Sequence, residues 1–337
     1  MDNLTYYLGA GASANIIPTY ENRILFIDQF EKFIETFFKQ ESPDYLGLHD
    51  TILQLCLEII EESKLYMSFD KFALQLSKGP NIRLAIFKVI LGHFIEFTQL
   101  FKNDFLRHSV DKRYTDFFKE KLTKSNAKIF YEFPTNLKMI SWNYDNQIEG
   151  ALLELNSYFD DFHSIRNYYH IYPKLLPSID QHSFNFNIIK LNGTSGLLQT
   201  IDYKSKNIDQ FITVTNLYDF KASLKSLIEL SSNPDIQRLS SYINFGWERP
   251  NEFSKYSVTQ ARKIISNSRE VVIFGYSFPD ENHEIDKTIF SDIPNECKIT
   301  YKTPCENSES EILKVKRILP NLGINHILIH SRDVSSF

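Results

Sequence analysis

Cysteine is scarce in this chain: there are three, Cys56, Cys297 and Cys305, and none stands in a C-x-x-C pair. A four-cysteine zinc site is excluded, because such a site needs paired thiolates at short spacing. An odd count without a secretory leader fits reduced thiols and a cytoplasmic protein. The N-terminus has no basic segment followed by an apolar run, so nothing there reads as a signal peptide. A membrane-length apolar run is missing too. The most apolar long stretch, 82–106, is broken by Lys88, His93, Glu96, Gln99, Lys102 and Asp104, which marks a helix against a core. Excess positive charge is also lacking. Net charge is −5 with a pI near 6.0, so direct nucleic-acid binding is not expected.

What is present is ample apolar material, 42% of 337 residues, enough for one large domain with a sizeable core. The aromatic residues are spread along the chain and read as core packing. The first strand is expected at 4–8, followed by the small-residue turn Gly9-Ala10-Gly11-Ala12-Ser13. From 26 to about 124 the pattern is helical. Phe26, Phe30, Phe33, Ile34, Phe37 and Phe38 recur at helical spacing, as do Ile52, Leu55, Ile59 and Ile60. Ser42-Pro43-Asp44 and Lys78-Gly79-Pro80-Asn81 mark breaks between helices.

Beyond Tyr131 strands are expected at 138–142, 185–191, 211–214, 270–274, 298–302 and 326–330. Helices are expected between them at 145–155, 217–230, 258–267 and 308–318. This alternation predicts an α/β fold with a Rossmann-like, doubly wound parallel sheet. The long helical stretch reads as an inserted subdomain. The expected organisation is one domain, with core 1–25 and 126–337 and a helical insertion at about 26–125. Segment 156–183, rich in Tyr, His and Asp, reads as irregular.

Four motifs follow apolar strands, where an open α/β sheet binds its ligands. Gly9-Ala10-Gly11-Ala12-Ser13 is a G-x-G turn whose glycines permit close backbone approach, with Ser13 placed to cap a helix or meet a phosphate. It lacks the third glycine of a dinucleotide fingerprint, and any strand–helix turn would also account for it. Asn143-Tyr144-Asp145 supplies an amide and a carboxylate for a ribose hydroxyl or a water, or else Asp145 caps the following helix. Lys190-Leu191-Asn192-Gly193 reads as a polar site element or as a glycine turn. Gly275-Tyr276-Ser277, with Phe278-Pro279-Asp280-Glu281-Asn282-His283 after it, is a loop dense in hydrogen-bonding groups or a capped connection.

Together, in this order, the four segments resemble the sirtuin-like family, in particular its zinc-free bacterial branch of antiphage NADases. That family carries a GAG-x-S turn, an Asn-x-Asp element, a Lys-Leu-His-Gly element and a Gly-Tyr-Ser loop. The resemblance implies a core that binds NAD+ as substrate, without zinc. It places Gly9, Ala10, Gly11 and Ser13 near the pyrophosphate, Asn143 and Asp145 at the nicotinamide ribose, Gly193 beside them, and Gly275, Tyr276 and Ser277 on the adenosine side. It also implies cleavage to nicotinamide and ADP-ribose during abortive infection. Expected partners are further copies of the chain, a nucleic-acid-guided protein or a hexameric ATPase.

One position departs from that pattern. Asn192 stands where the family has its catalytic histidine. Imidazole exchanges protons near neutrality, whereas an amide only hydrogen-bonds. Three explanations stay open. The chain binds nucleotide without turning it over, as a scaffold or sensor. Another histidine substitutes, with His163, His170, His182 and above all His283 as candidates. Or nicotinamide leaves readily enough for Asn143 and Asp145 to suffice electrostatically. Peptide deacylation is the least favoured activity, since the zinc-ribbon cysteines are absent.

Overall fold

The structure is a computed structural model describing residues 3–18, 20–41, 48–101, 109–124, 130–156, 158–173, 185–201, 208–209, 220–224, 239–248, 252–302, 308–319, 328–331 and 334–337. Its centre is a seven-stranded parallel sheet built from β1 (Leu4–Leu8), β4 (Leu137–Ser141), β5 (Ile171–Tyr172), β6 (Ile188–Lys190), β10 (Glu270–Phe274), β11 (Lys298–Lys302) and β12 (Leu328–Ser331). The spatial order is β12-β11-β10-β1-β4-β6-β5. From β1 the chain runs outward through β4 to the edge strand β5, fills β6 in between them, then returns to build β10, β11 and β12 on the other side. The order therefore reverses beside β1, and in such a sheet the crevice at the reversal is where ligands bind.

The strands are short apolar runs because helices cover both faces. In β1 the alternation is clean. Tyr6 and Leu8 face one layer with Met139, Ile188, Val272 and Phe274, while Tyr7 faces the other with Ile140, Ile189 and Ile273. The first layer is completed by α5 (Lys112–Lys121), α6 (Gln147–Leu155) and α7 (Phe162–Tyr168), through Phe117, Phe118, Ile148, Leu152 and Ile165. The second is completed by α8 (Glu252–Ile265), α9 (His283–Phe290) and α10 (Ser308–Ile318), through Ala261, Ile265, Ile289, Phe290, Val315 and Ile318.

A third apolar cluster joins α1 (Tyr20–Glu41), α2 (Leu48–Ser63), α3 (Phe69–Leu76) and α4 (Asn81–Phe101). Every residue of α4 from Val89 to Leu100 is buried, which is why its sequence is apolar nearly all round. By length and composition α4 could cross a membrane, but 78% of its most apolar window is buried inside the protein. It packs against α2 and α3 and against the antiparallel strands β7 (Gly193–Ile201) and β9 (Leu239–Ile243). A short β8 (Ile208–Asp209) pairs with β7, and β2 (Thr123–Lys124) pairs with β3 (Tyr131–Glu132).

The expected strands at 270–274 and 298–302 and the helix at 308–318 coincide with β10, β11 and α10. Others differ. Segment 156–183 is not irregular throughout, since it holds α7, capped by Asp161, and the edge strand β5. The glycine turn read at Lys190–Gly193 is confined to Leu191-Asn192, and Gly193 starts β7. Helix α8 begins at Glu252, ahead of the expected 258. Helix α5 falls within the stretch read as an insertion, yet it packs on α6 and the sheet. The strand expected at 211–214, most of the helix at 217–230, the break at Ser42-Pro43-Asp44, Cys305 and His182 lie outside the described residues.

Candidate functional site

The parallel register brings the motif-bearing strand ends to one level. Leu8 pairs with both Phe274 and Ser141, and Ser141 pairs with Lys190. The turns after β1 and β10 are then stitched together. Gly9 N donates to Phe274 O at 3.1 Å and Gly11 N to Gly275 O at 2.8 Å. A Cβ on Gly11 would lie 2.8 Å from Gly275 Cα, and one on Gly275 would lie 2.4 Å from Ala12 N. Gly275 also has φ of +61°, a conformation that glycine adopts without steric cost. The G-x-G glycines thus serve first to let two turns touch. Of the first turn, Ala10 and Gly11 line the cavity beyond.

That cavity, about 500 Å³, lies within the range of small-molecule sites. The loop after β4 contributes Trp142, Asn143, Tyr144 and Asp145, the end of β6 contributes Asn192, and the β10 turn contributes Gly275, Tyr276 and Ser277. Trp142 and Tyr276 stack with ring centroids 5.9 Å apart. Asn143 Nδ2 donates to Ser13 Oγ at 3.1 Å, and Ser13 Oγ also pairs with Tyr114 OH at 3.2 Å. Ser13 is therefore a buried support behind Asn143, neither a cap nor a cavity-lining group. Asn192 Nδ2 donates to the Trp142 carbonyl at 3.2 Å.

Asp145 Oδ1 accepts the N–H of Gln147, the first residue of α6, at 3.0 Å, as a helix-capping carboxylate does, and the residue also lines the cavity. Burial pushes its carboxyl up, while the nearby Lys190 ammonium pulls the other way. Gly193 is not at the cavity. Its φ of +80° and the Tyr242 carbonyl, which a Cβ would overlap, explain the glycine through packing of β7 on β9.

Of the described histidine candidates, His163, His170 and His283, none lines the cavity. His283 opens α9 half-buried, beside the lining residues Glu281 and Asn282 but outside the lining. His163 lies on α7 with Asn167 Nδ2 2.9 Å from its Nε2, and His170 follows α7, its carbonyl accepting Asn187 N. Among the described residues that line the cavity there is no imidazole.

Two polar lining groups escaped the sequence reading. Ser68 and Asp70 come from the start of α3, where Ser68 Oγ accepts Lys71 N at 3.1 Å, and they face Glu281, which the polar loop after Ser277 supplies from the 3-10 turn before α9. Tyr144 OH donates to Asp70 Oδ1 at 3.3 Å. Burial, reinforced by the charge of Glu281, raises the Asp70 carboxyl to about 6. The only local signal was Ser-x-Asp at a helix start, which ordinary N-capping explains.

Two buried polar clusters brace the site. Behind the Asn143–Asp145 loop, Lys190 Nζ donates to the Asp145 carbonyl, to Glu149 Oε1 at 3.2 Å and to Thr194 Oγ1 at 3.1 Å. Arg166 pairs with Glu149 and donates to Thr194 Oγ1 at 2.6 Å. Burial works against all three charges, yet the two cations hold the Glu149 carboxyl below its usual range. Beneath the Trp142–Tyr276 floor, Asp286 accepts Tyr7 OH at 2.5 Å, Tyr276 OH at 2.8 Å and Trp142 Nε1 at 3.2 Å. Among the described residues no three His, Cys, Asp or Glu side chains gather as metal ligands do.

The chain matches no family model and no curated protein. Among solved structures it is similar to Sir2Tm bound to a propionylated peptide, at 12% identity over 98% of this chain and 87% of that one, TM-score 0.34. It is also similar to a structure addressing the basis of sirtuin substrate affinity, at 11% identity over 99% and 90%, TM-score 0.36. A third is SIR2 with the inhibitor EX-527, 2'-O-acetyl-ADP-ribose and a deacetylated p53 peptide, at 10% identity over 98% and 89%, TM-score 0.35.

Proposed function

We propose that the chain is a sirtuin-like NAD+ glycohydrolase that cleaves NAD+ to nicotinamide and ADP-ribose in bacterial antiphage defence. One observation carries this reading. Ala10, Gly11, Asn143, Asp145, Asn192 and Gly275–Ser277, from four separated motifs, line a single cavity at the reversal point of a parallel sheet. In this reading NAD+ is a substrate and no zinc takes part. The Ala10-Gly11 turn lies against the pyrophosphate, and Gly275, Tyr276 and Ser277 against the adenosine. The indole of Trp142 and the ring of Tyr276 offer flat apolar surface for a planar heterocycle. The Asn143 amide, steadied by Ser13, orients the ribose or the attacking water. Asp145 stabilises positive charge developing on the ribosyl carbon.

The assignment predicts that Asn143→Ala lowers NAD+ consumption by about a hundredfold or more, the usual cost of deleting an oriented dipole at a reacting centre. Nicotinamide release by the purified chain measures it. An unchanged rate in that variant removes the mechanism. A second reading is a nucleotide-binding scaffold or sensor subunit without turnover. It is favoured by Asn192 and by the lack of an imidazole among the described lining residues. Calorimetry showing ADP-ribose or NAD+ binding with no product at any pH would select it. A lethal NADase has to be restrained until infection. We therefore place the protein in the cytoplasm, as a homo-oligomer or with a nucleic-acid-guided protein or hexameric ATPase as its trigger.

A further inference from the structure

Hydrolysis is faster where a positioned group takes the proton of the attacking water, and Asn192 has no means to do so. Among the described lining residues the carboxylates are Asp70, Asp145 and Glu281. Asp145 already holds the N–H of Gln147 on its Oδ1, and the reading above gives it to charge stabilisation at the ribosyl carbon. Asp70 differs in how it is delivered. It stands in the first turn of α3, fixed by the Ser68 cap, and reaches the cavity from the helical side. There it meets the hydroxyl of Tyr144, the residue between Asn143 and Asp145, at 3.3 Å. A helix far from the motifs in sequence thus places a carboxylate beside them.

We propose that Asp70 is the general base of this site, standing in for the absent histidine. The inference rests on the glycohydrolase reading above. In the step, the bond between the ribosyl carbon and the nicotinamide nitrogen breaks. Its electron pair stays with nicotinamide, which leaves neutral. The water oxygen bonds to the ribosyl carbon, and its proton passes to the Asp70 carboxylate and then to solvent. The products are nicotinamide, ADP-ribose and one proton. The groups acting on Asp70 are Glu281, whose charge opposes its ionisation, and Tyr144, whose hydroxyl supports it. Burial keeps the Tyr144 phenol itself protonated, well above its ordinary range. With its carboxyl raised to about 6, Asp70 is ionised at neutral pH and still basic enough to accept a proton.

The experiment compares wild type, Asp70→Asn and the double variant Asp70→Asn with Asn192→His. NAD+ turnover is followed from pH 5 to 8, and ADP-ribose affinity by calorimetry. Wild-type kcat should rise through pH about 6 and level off. Asp70→Asn should lose about a hundred- to ten-thousand-fold in kcat together with that limb, while ADP-ribose affinity stays within about threefold. Asn192→His should restore turnover to the Asp70→Asn protein. A cleaving wild type with Asp70→Asn equally active and the same pH profile overturns the base alone. So does a parallel loss of ADP-ribose binding, which would make Asp70 a binding group. A wild type that binds NAD+ but never consumes it overturns the glycohydrolase reading and the base with it.

Discussion

A carboxylate buried without a cation is costly, and Asp286 shows how this protein tolerates one. Three donors converge on it from β1, the end of β4 and the β10 turn, and burial still lifts its carboxyl to about 7. The folded state therefore holds a proton on Asp286 at pH values where the unfolded chain, with an ordinary carboxyl near 4, has released it. More protons bound in the folded state means that stability falls as pH rises from about 4 to about 7, by up to about 1.4 kcal/mol per unit, and is flat above. Asp286→Asn should flatten the slope between pH about 6 and 7 and reduce it below, where the raised Asp70 carboxyl still contributes, read from urea midpoints across the range. A slope unchanged by the substitution would show that Asp286 ionises normally. Nothing in the sequence around Asp286 distinguished it from a surface aspartate on an amphipathic helix. Its partners Tyr7, Trp142 and Tyr276 are supplied by distant strands. Asn143, Asp145 and Asn192 were legible, by contrast, because each follows an apolar strand directly, so their level in the sheet is a local property.

At the scale of elements, the loop after β4 is held by the buried cluster of Lys190 on β6, Glu149 on α6 and Arg166 on α7. All three side chains are at most 1% exposed, so their mutual pairing is what makes their charges tolerable. Removing one partner leaves uncompensated charge in a low-dielectric interior. Glu149→Gln, which keeps shape and deletes charge, should cost about 3–5 kcal/mol in denaturant unfolding. A loss below about 1 kcal/mol would mean that water reaches the cluster. The helices and strands themselves were mostly readable. β10 was found with its bounds because a buried parallel strand appears as a short apolar run, and β11 because Ile299 and Tyr301 alternate with polar residues. Elements with little local signal were missed: β5 is two residues long, and β7 begins at a glycine that sequence reading took for a turn. A glycine's reason for being there is often its neighbour, here the Tyr242 carbonyl, which no local pattern reveals.

For the molecule as a whole, the cavity is shared between the strand-end loops and the helical cluster, which contributes Ser68, Asp70 and Ile95. We propose that this helical unit comprises α1 to α4, since α5 packs with the sheet layer. A ligand filling the cavity would tie the two together. At a hundred times its dissociation constant it would add about 2.7 kcal/mol of stability. Hydrogen exchange with ADP-ribose should then show new protection in α3 as well as in the loops after β1, β4 and β10, and none in α10. Protection confined to the strand-end loops would mean that α3 takes no part in binding. The class of fold and the strand ends that carry polar groups, Asn192 among them, were determined by the sequence alone, because periodicity and strand-end motifs are written in neighbouring residues. Only the tertiary structure decided that Gly11 and Gly275 are needed to touch each other, that Asp70 enters the cavity and His283 does not, and that Asp286 and Glu149 lie beneath the site. Those facts depend on register and crossover between segments far apart in the chain, where packing chooses the partner and local pattern carries no trace of the choice.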